Sequence, residues 1–278
     1  MSATVFGIIL FAALCHATWN AIVKGAPDKF MAAMLVAAVA AVIAAVALPF
    51  LPQPASASWP YLAASVVIHF AYYALVAAAY RSADMSQAYP LMRGSAPLLV
   101  AVAGAVWLGE NLPLPAWIGI GLISAGVIGT AFGARGRGNG RGLAFALANA
   151  VVIAAYTISD GVGVRLSGAP PGYIMWGFLL TGIPLVGLQL TTRAGGFVRY
   201  AAGNFQLGIV GGIATLTSYG LALWAMTVAP VAVVAALRET AILFAVAIAA
   251  LVLKERVGPA RIAAVGIIAI GAVVLRLA

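Results

Sequence analysis

Apolar positions run along this chain in ten long stretches, at 3–23, 29–51, 60–81, 86–108, 114–133, 142–164, 171–192, 204–226, 231–253 and 259–277. Each is close to the ~20 residues an α-helix needs to cross a hydrocarbon core. Only short polar breaks separate them, so there is no room for a soluble domain. Pro52, Pro54 and Pro60 mark the break between the second and third stretches, where the missing backbone donor stops a helix from continuing. Gly and Pro recur inside the stretches, which membrane helices tolerate because neighbouring helices satisfy the freed backbone groups. The pattern predicts an all-α polytopic membrane protein with ten transmembrane helices.

The second five spans repeat the first five. A shift of 145 positions lays Arg93 on Arg238, Leu108 on Leu253, Glu110 on Glu255, Gly121 on Gly266 and Gly126 on Gly271. The expected organisation is a first repeat at 1–134, a basic linker at 135–141 and a second repeat at 142–278. Five is an odd number, so the second copy enters the membrane from the opposite face. Inverted repeats are a common way of building carriers whose two halves exchange between states.

Composition supports a membrane span reading. The chain is 64% hydrophobic and 8% charged, where soluble domains average about 25% charged residues. Its net charge of +9 raises the question of nucleic acid, but the distribution answers it. Eleven of the 15 Lys and Arg residues fall in loops after odd-numbered spans and two, Arg165 and Arg276, on the other side; Arg93 and Arg238 lie inside spans. That bias is the positive-inside pattern. It predicts a cytoplasmic linker and both termini outside the cytoplasm, with no nucleic-acid partner. Ala richness and a preference for Arg over Lys suit a GC-rich bacterial genome, hence a bacterial cytoplasmic (inner) membrane. The first span lacks a basic leader, and Ala-Ala-Leu before Cys15 fits a lipoprotein site poorly. Cys15 is the one cysteine and reads as a small packing residue.

Leu108-Gly109-Glu110 with Pro115, Gly119, Gly121 and Gly126, and its second copy Leu253-Lys254-Glu255 with Pro259, Gly266 and Gly271, carry a family resemblance. So do Ala88-Tyr89-Pro90-Leu91-Met92-Arg93-Gly94 and His16-Ala-Thr-Trp19-Asn20 with Lys24. Over its whole length the chain resembles the EamA-type carriers of the drug/metabolite transporter superfamily. The resemblance implies a secondary carrier, most often an exporter of metabolites, amino acids or drugs. It also implies a central cavity lined by spans 1, 3, 4, 6, 8 and 9.

Ionisable groups inside spans are the sharpest candidates, because burying a charge in a bilayer costs at least ~2.5 kcal/mol. Arg93 and Arg238 are symmetry mates at opposite depths. Either could bond helix carbonyls or a partner carboxylate, or grip an anionic substrate group with its planar fork. Depth suggests a structural cluster of Arg238, Glu239 and Asp160. Arg93 has no carboxylate at its own depth and is therefore the favoured substrate contact. His16, Asn20 and Tyr89 are expected beside it, and His69 near mid-membrane; an imidazole, with an ordinary pKa of ~6.5, suits a proton switch as well as packing. Tyr72, Tyr73, Tyr156 and Tyr219 lie too deep for an interfacial belt and read as cavity wall, with Trp19 and Trp224 beside them. Trp59, Tyr61, Trp117, Tyr173 and Tyr200 read as belt residues. Glu110 and Glu255 are expected to cap the helices that follow them. Gly121, Ala125, Gly129 and Gly133 form a row suited to close helix contact. Pro90 and Pro97 flank Arg93 and mark span 4 as a hinge.

There is no Gly-rich phosphate loop ending in Gly-Lys-Ser/Thr, and two His with one Cys make no usual zinc site. No enzyme activity, cofactor or metal is expected. Three function classes follow in order: a carrier for a small molecule such as an amino acid or organic acid, a carrier for phosphonates or other organic anions, and an intramembrane enzyme or channel. The expected partners are a small-molecule substrate and the lipid bilayer, in a monomer or homodimer.

Overall fold

The computed structural model describes residues 1–132, 140–252, 254 and 257–278. Glu255, Gly133 and the linker arginines Arg135 and Arg137 lie outside the described residues. The helices are α1 (Ala3–Gly25), α2 (Lys29–Ala47), α3 (Trp59–Ser82), α4 (Met85–Trp107), α5 (Leu114–Phe132), α6 (Gly140–Leu166), α7 (Pro170–Gly203), α8 (Phe205–Ala225), α9 (Val231–Arg238), α10 (Ala241–Leu251) and α11 (Pro259–Leu277). Together they make ten spans long and apolar enough to cross a membrane, with α9 and α10 sharing the ninth. Local chemistry sets their ends. Ser2 Oγ accepts from Val5 N–H at 3.2 Å and Asp28 Oδ1 from Met31 N–H at 2.9 Å, capping α1 and α2. Proline sits in the first turns of α3, α7 and α11, where its missing donor is harmless. Gly109 takes φ +64°, a left-handed turn that stops α4 and sends the Glu110 N–H back to the Gly104 carbonyl at 3.0 Å.

Two helices differ from the expected spans. The α7 helix continues to Gly203, so Arg199 stands on an exposed helical extension and not in a loop. The ninth span is broken. Its α9 segment stops after Arg238, where Glu239 and Thr240 N–H turn to the Ala236 and Leu237 carbonyls, both at 3.0 Å. Thr240 Oγ1 also donates to the Leu237 carbonyl at 2.6 Å. By contrast α4 is one helix through Pro90 and Pro97.

The packing follows the two-repeat plan. The pairs α3–α6 and α1–α8 exchange under the repeat, while α2–α7, α4–α9 and α5–α11 each map onto themselves. The loops sort onto two faces. Arg276 Nη1 donates to the Met1 carbonyl at 2.7 Å, so both termini share a face. Ala55 N–H bonds the Ser167 carbonyl at 2.9 Å on that same terminal face. On the opposite face Tyr200 Oη donates to the Asp28 carbonyl at 3.4 Å, and Gly142 packs on Ser82 and Ala83.

The helices α5 and α11 form a peripheral pair. Gly126 lies against the Ala264 carbonyl and Ile268, and Gly271 against the Gly119 carbonyl and Ile123. The expected row is turned elsewhere: a Cβ at Gly121 or Gly129 would meet nothing within 4 Å, and Ala125 is exposed. The largest cluster of buried side chains, including Ile9, Leu62, Val100, Tyr173, Leu223, Met226, Val234 and Ile268, fills the terminal half of the bundle. It closes that half above a central cavity.

Candidate substrate-binding site

Glu110 fastens the terminal face. It was expected to cap its own following helix, but its Oε1 accepts from Val231 N–H at 2.8 Å, across the repeat boundary, at the start of α9. The same oxygen takes Arg165 Nη2 at 3.0 Å. Arg165 further donates to the Met226 carbonyl at 2.7 Å and the Ala229 carbonyl at 3.0 Å. One carboxylate and one guanidinium thus tie the α4–α5 loop, the end of α6 and the α8–α9 loop together.

Beneath this clasp lies a cavity of ≈ 270 Å³ between the two repeats. His16 and Trp19 of α1, His69, Tyr72 and Tyr73 of α3, Arg93 of α4, Tyr156 and Asp160 of α6, Tyr219 of α8 and Arg238 of α9 all line it. The α2 and α7 helices also contribute, with Met34, Ala37, Phe178 and Thr181 in its wall. The cavity that the family resemblance implies does not include these two helices, whose lining residues are mostly small or apolar.

Two polar centres face this space. The first is the pair of Arg93 and Glu239. Arg93 Nη2 meets Glu239 Oε1 at 2.7 Å and Nε meets Oε2 at 3.1 Å, a two-point fork with both residues at least 93% buried (7% and 5% exposed). This overturns the expectation of an unneutralised Arg93. It also dissolves the proposed Arg238–Glu239–Asp160 cluster. Arg238 forms no ion pair among the described residues; its guanidinium lies over the Tyr219 ring, 4.9 Å from the centroid. His16, edge-on to Trp19 with centroids 5.3 Å apart, is within electrostatic reach of both arginines. Trp19 Nε1 is buried with no hydrogen-bond acceptor, which leaves a donor at the cavity wall.

The second centre is Asp160, 3% exposed. It accepts from the Tyr173 hydroxyl at 3.2 Å and from the Tyr219 hydroxyl. Tyr173, read as a belt residue, is instead 1% exposed and part of this centre. Gly163 makes room for it, since a Cβ there would sit 2.2 Å from the Tyr173 oxygen. His69 stacks on Tyr156 with centroids 4.2 Å apart and meets Tyr219 edge-on at 6.3 Å. Its Nδ1 lies 2.8 Å from the Ser65 carbonyl, so Nδ1 carries a proton and Nε2 is the remaining nitrogen.

Three expected residues fall elsewhere. Asn20 Nδ2 bonds its own helix at the His16 carbonyl, 2.8 Å away, and does not line the cavity. Tyr89 lies outside the lining as well, though within electrostatic reach of Arg93. Trp224 packs on the terminal-half core.

Comparison with known proteins agrees with this architecture. The model of the EamA-like transporter family matches residues 4–132 and again 140–277, one match to each repeat. A solved structure titled "Crystal structure of protein" superposes with a TM-score of 0.77 over 100% of this chain and 98% of that one, at 21% identity, a likeness of fold. No curated protein matches the chain.

Proposed function

The chain belongs to the EamA-like transporter family, and from that premise we propose that it is a secondary active carrier. It exports a small metabolite with an acidic group, an amino acid or organic acid, by alternating access through the cavity between its repeats. The observation that carries the substrate reading is Arg238, a cation in the cavity wall with an aromatic face beneath it and no carboxylate on it. A planar guanidinium binds a carboxylate or phosphonate at two points. Tyr72, Tyr73, Tyr156 and Phe178 offer flat apolar walls to the rest of the molecule. Arg93, held by Glu239, orders the wall rather than gripping substrate. This assigns to Arg238 the contact that the sequence favoured for Arg93.

Export and orientation rest on the resemblance and on the basic bias of the loops, which puts the terminal face outside the bacterial inner membrane. With that orientation, the clasp and the buried core support reading this state as closed to the outside. The test is a thermal-shift screen of purified protein against amino acids, organic acids and phosphonates, followed by counterflow in proteoliposomes. A bound ligand raises the melting temperature by mass action. Acidic compounds are expected to stabilise the wild type and to lose that effect in Arg238→Gln. A ligand that stabilises both proteins equally would refute the role given to Arg238.

A further inference from the structure

We propose that Asp160 is a proton-binding site of this carrier and that its protonation is coupled through Tyr219 to the binding of an anion at Arg238. The inference rests on the carrier reading above and narrows it, from amino or organic acids to substrates with a net negative charge.

Tyr219 joins the two centres physically. Its ring lies under the Arg238 guanidinium and its hydroxyl is on Asp160. Asp160 is a carboxylate buried inside a membrane span, and among the described residues no cation forms an ion pair with it. Burying an ionised carboxylate without a paired charge is costly, and protonation removes that cost. The groups facing it are His69 from α3, Tyr173 from α7, Tyr219 from α8 and Tyr156 on its own helix, with Arg238 of α9 behind the Tyr219 ring. Arg93 and Glu239 are committed to each other. Asp160 lines the cavity, so a proton from cavity water can reach it. Both forms suit the site. The ionised form takes the hydroxyls of Tyr173, Tyr219 and Ser65. The acid donates its own proton to a tyrosine oxygen, whose hydroxyl rotates to another acceptor.

Charge decides the coupling. With Asp160 ionised, Arg93, Arg238 and Asp160 of the cavity wall and Glu239 behind Arg93 cancel. With Asp160 protonated, one positive charge is left uncompensated, and a monoanion on Arg238 restores neutrality. Proton and anion therefore favour each other, and by linkage each raises the other's affinity by the same factor. One proton accompanies each monoanion, the loaded and empty cavities carry equal charge, and export runs where the outward anion gradient exceeds the inward proton gradient.

The test uses the purified full-length carrier and infrared spectroscopy of the carboxylic C=O band as pH is varied. A band that disappears with rising pH is expected in the wild type and not in Asp160→Asn. In an Asp28→Asn, Asp84→Asn background Asp160 is the one aspartate left, so carbon-13 at the aspartate carboxyl moves its band and assigns it even if Asp160→Asn does not fold. Benzoate is the probe anion, an aromatic carboxylate matched to Arg238 and the tyrosine walls. Its binding is expected to be about tenfold tighter below the Asp160 transition than above it, and benzoate should move the transition to higher pH. Arg238→Gln should keep the transition and lose the benzoate effect. A wild type in which no such aspartate band titrates overturns the proton site. Benzoate that binds without moving the transition, or moves it to lower pH, overturns the coupling while leaving the carrier reading intact. Failure of benzoate and of methylphosphonate to bind at any pH overturns the anion assignment of Arg238, and with it both readings.

Discussion

A single ion pair, between residues 146 positions apart, fastens α4 of one repeat to the break in the ninth span of the other. Removing one partner leaves the other charged and buried, a loss of about 3–5 kcal/mol for such a pair. Arg93→Gln and Glu239→Gln are each expected to lower the melting temperature sharply, and the double variant Arg93→Gln with Glu239→Gln to recover much of it. Arg238→Gln should leave the melting temperature nearly unchanged while it removes substrate binding. Thermal unfolding of the four proteins in one detergent checks the set, and an Arg93→Gln protein as stable as wild type would contradict it. The charged residues singled out in the sequence meet around one cavity, but in another pairing than the expected one. Glu239 follows Arg238 directly, but neighbours on a helix point about 100° apart and do not face each other. One turns to α4 and the other to Tyr219. Tyr173 was misplaced for a similar reason. Its position near a span end suits a belt, and only Gly163, three residues past Asp160, hints that a large side chain enters there.

At the scale of elements, the ten spans were legible because length and hydropathy fix a membrane helix almost alone. What those signals do not carry is which face of a helix packs and where a helix breaks. Pro90 and Pro97 drew attention to α4, yet helix continues through both, since surrounding helices hold the chain in place. The break falls in the mate of α4, where three-residue turns at Glu239 and Thr240 replace the helical bonds. Short turns of this kind often mark a hinge, and broken helices mark carrier binding sites; a lone Thr after Arg-Glu announces neither. Glycine faces were equally hidden. Gly126→Val would drive its Cβ to within 2.6 Å of Ile268 Cγ1 and 3.0 Å of the Ala264 carbonyl. It is expected to cost about 2 kcal/mol or more by overpacking and to loosen α11 from α5. Gly121→Val, in open space, should leave the melting temperature close to that of wild type, and equal losses in the two variants would show that the α5–α11 contact is misassigned.

For the whole molecule, the two faces define two tests. The basic bias predicts that the terminal face is outside, so a C-terminal alkaline phosphatase fusion should be active and a C-terminal fluorescent fusion dark. The reverse would invert the orientation without touching the fold. The second test concerns alternation. The Glu110 carboxylate holds both Arg165 and the first N–H of α9, so it stabilises whichever state keeps the terminal face shut. Glu110→Ala removes an acceptor shared by a cation and a helix terminus, and leaves Arg165 only its carbonyls. An equilibrium moved by about 2 kcal/mol changes the population of the minor state some thirtyfold, so a charge-assisted contact of ~1.5–3 kcal/mol is large enough to matter. Cys15 is the one cysteine, so a Cys15→Ala background with Ser218→Cys places a single thiol in the cavity wall. In membranes where the terminal face is exposed, a membrane-impermeant maleimide is expected to label that thiol at least tenfold faster when Glu110 is alanine. Labelling from the linker face should slow by comparison, because the two openings draw on one population. Equal rates from the terminal face with and without Glu110 would show that the buried core alone closes it, and that the Glu110–Arg165 contact is a loop tie with no part in the cycle.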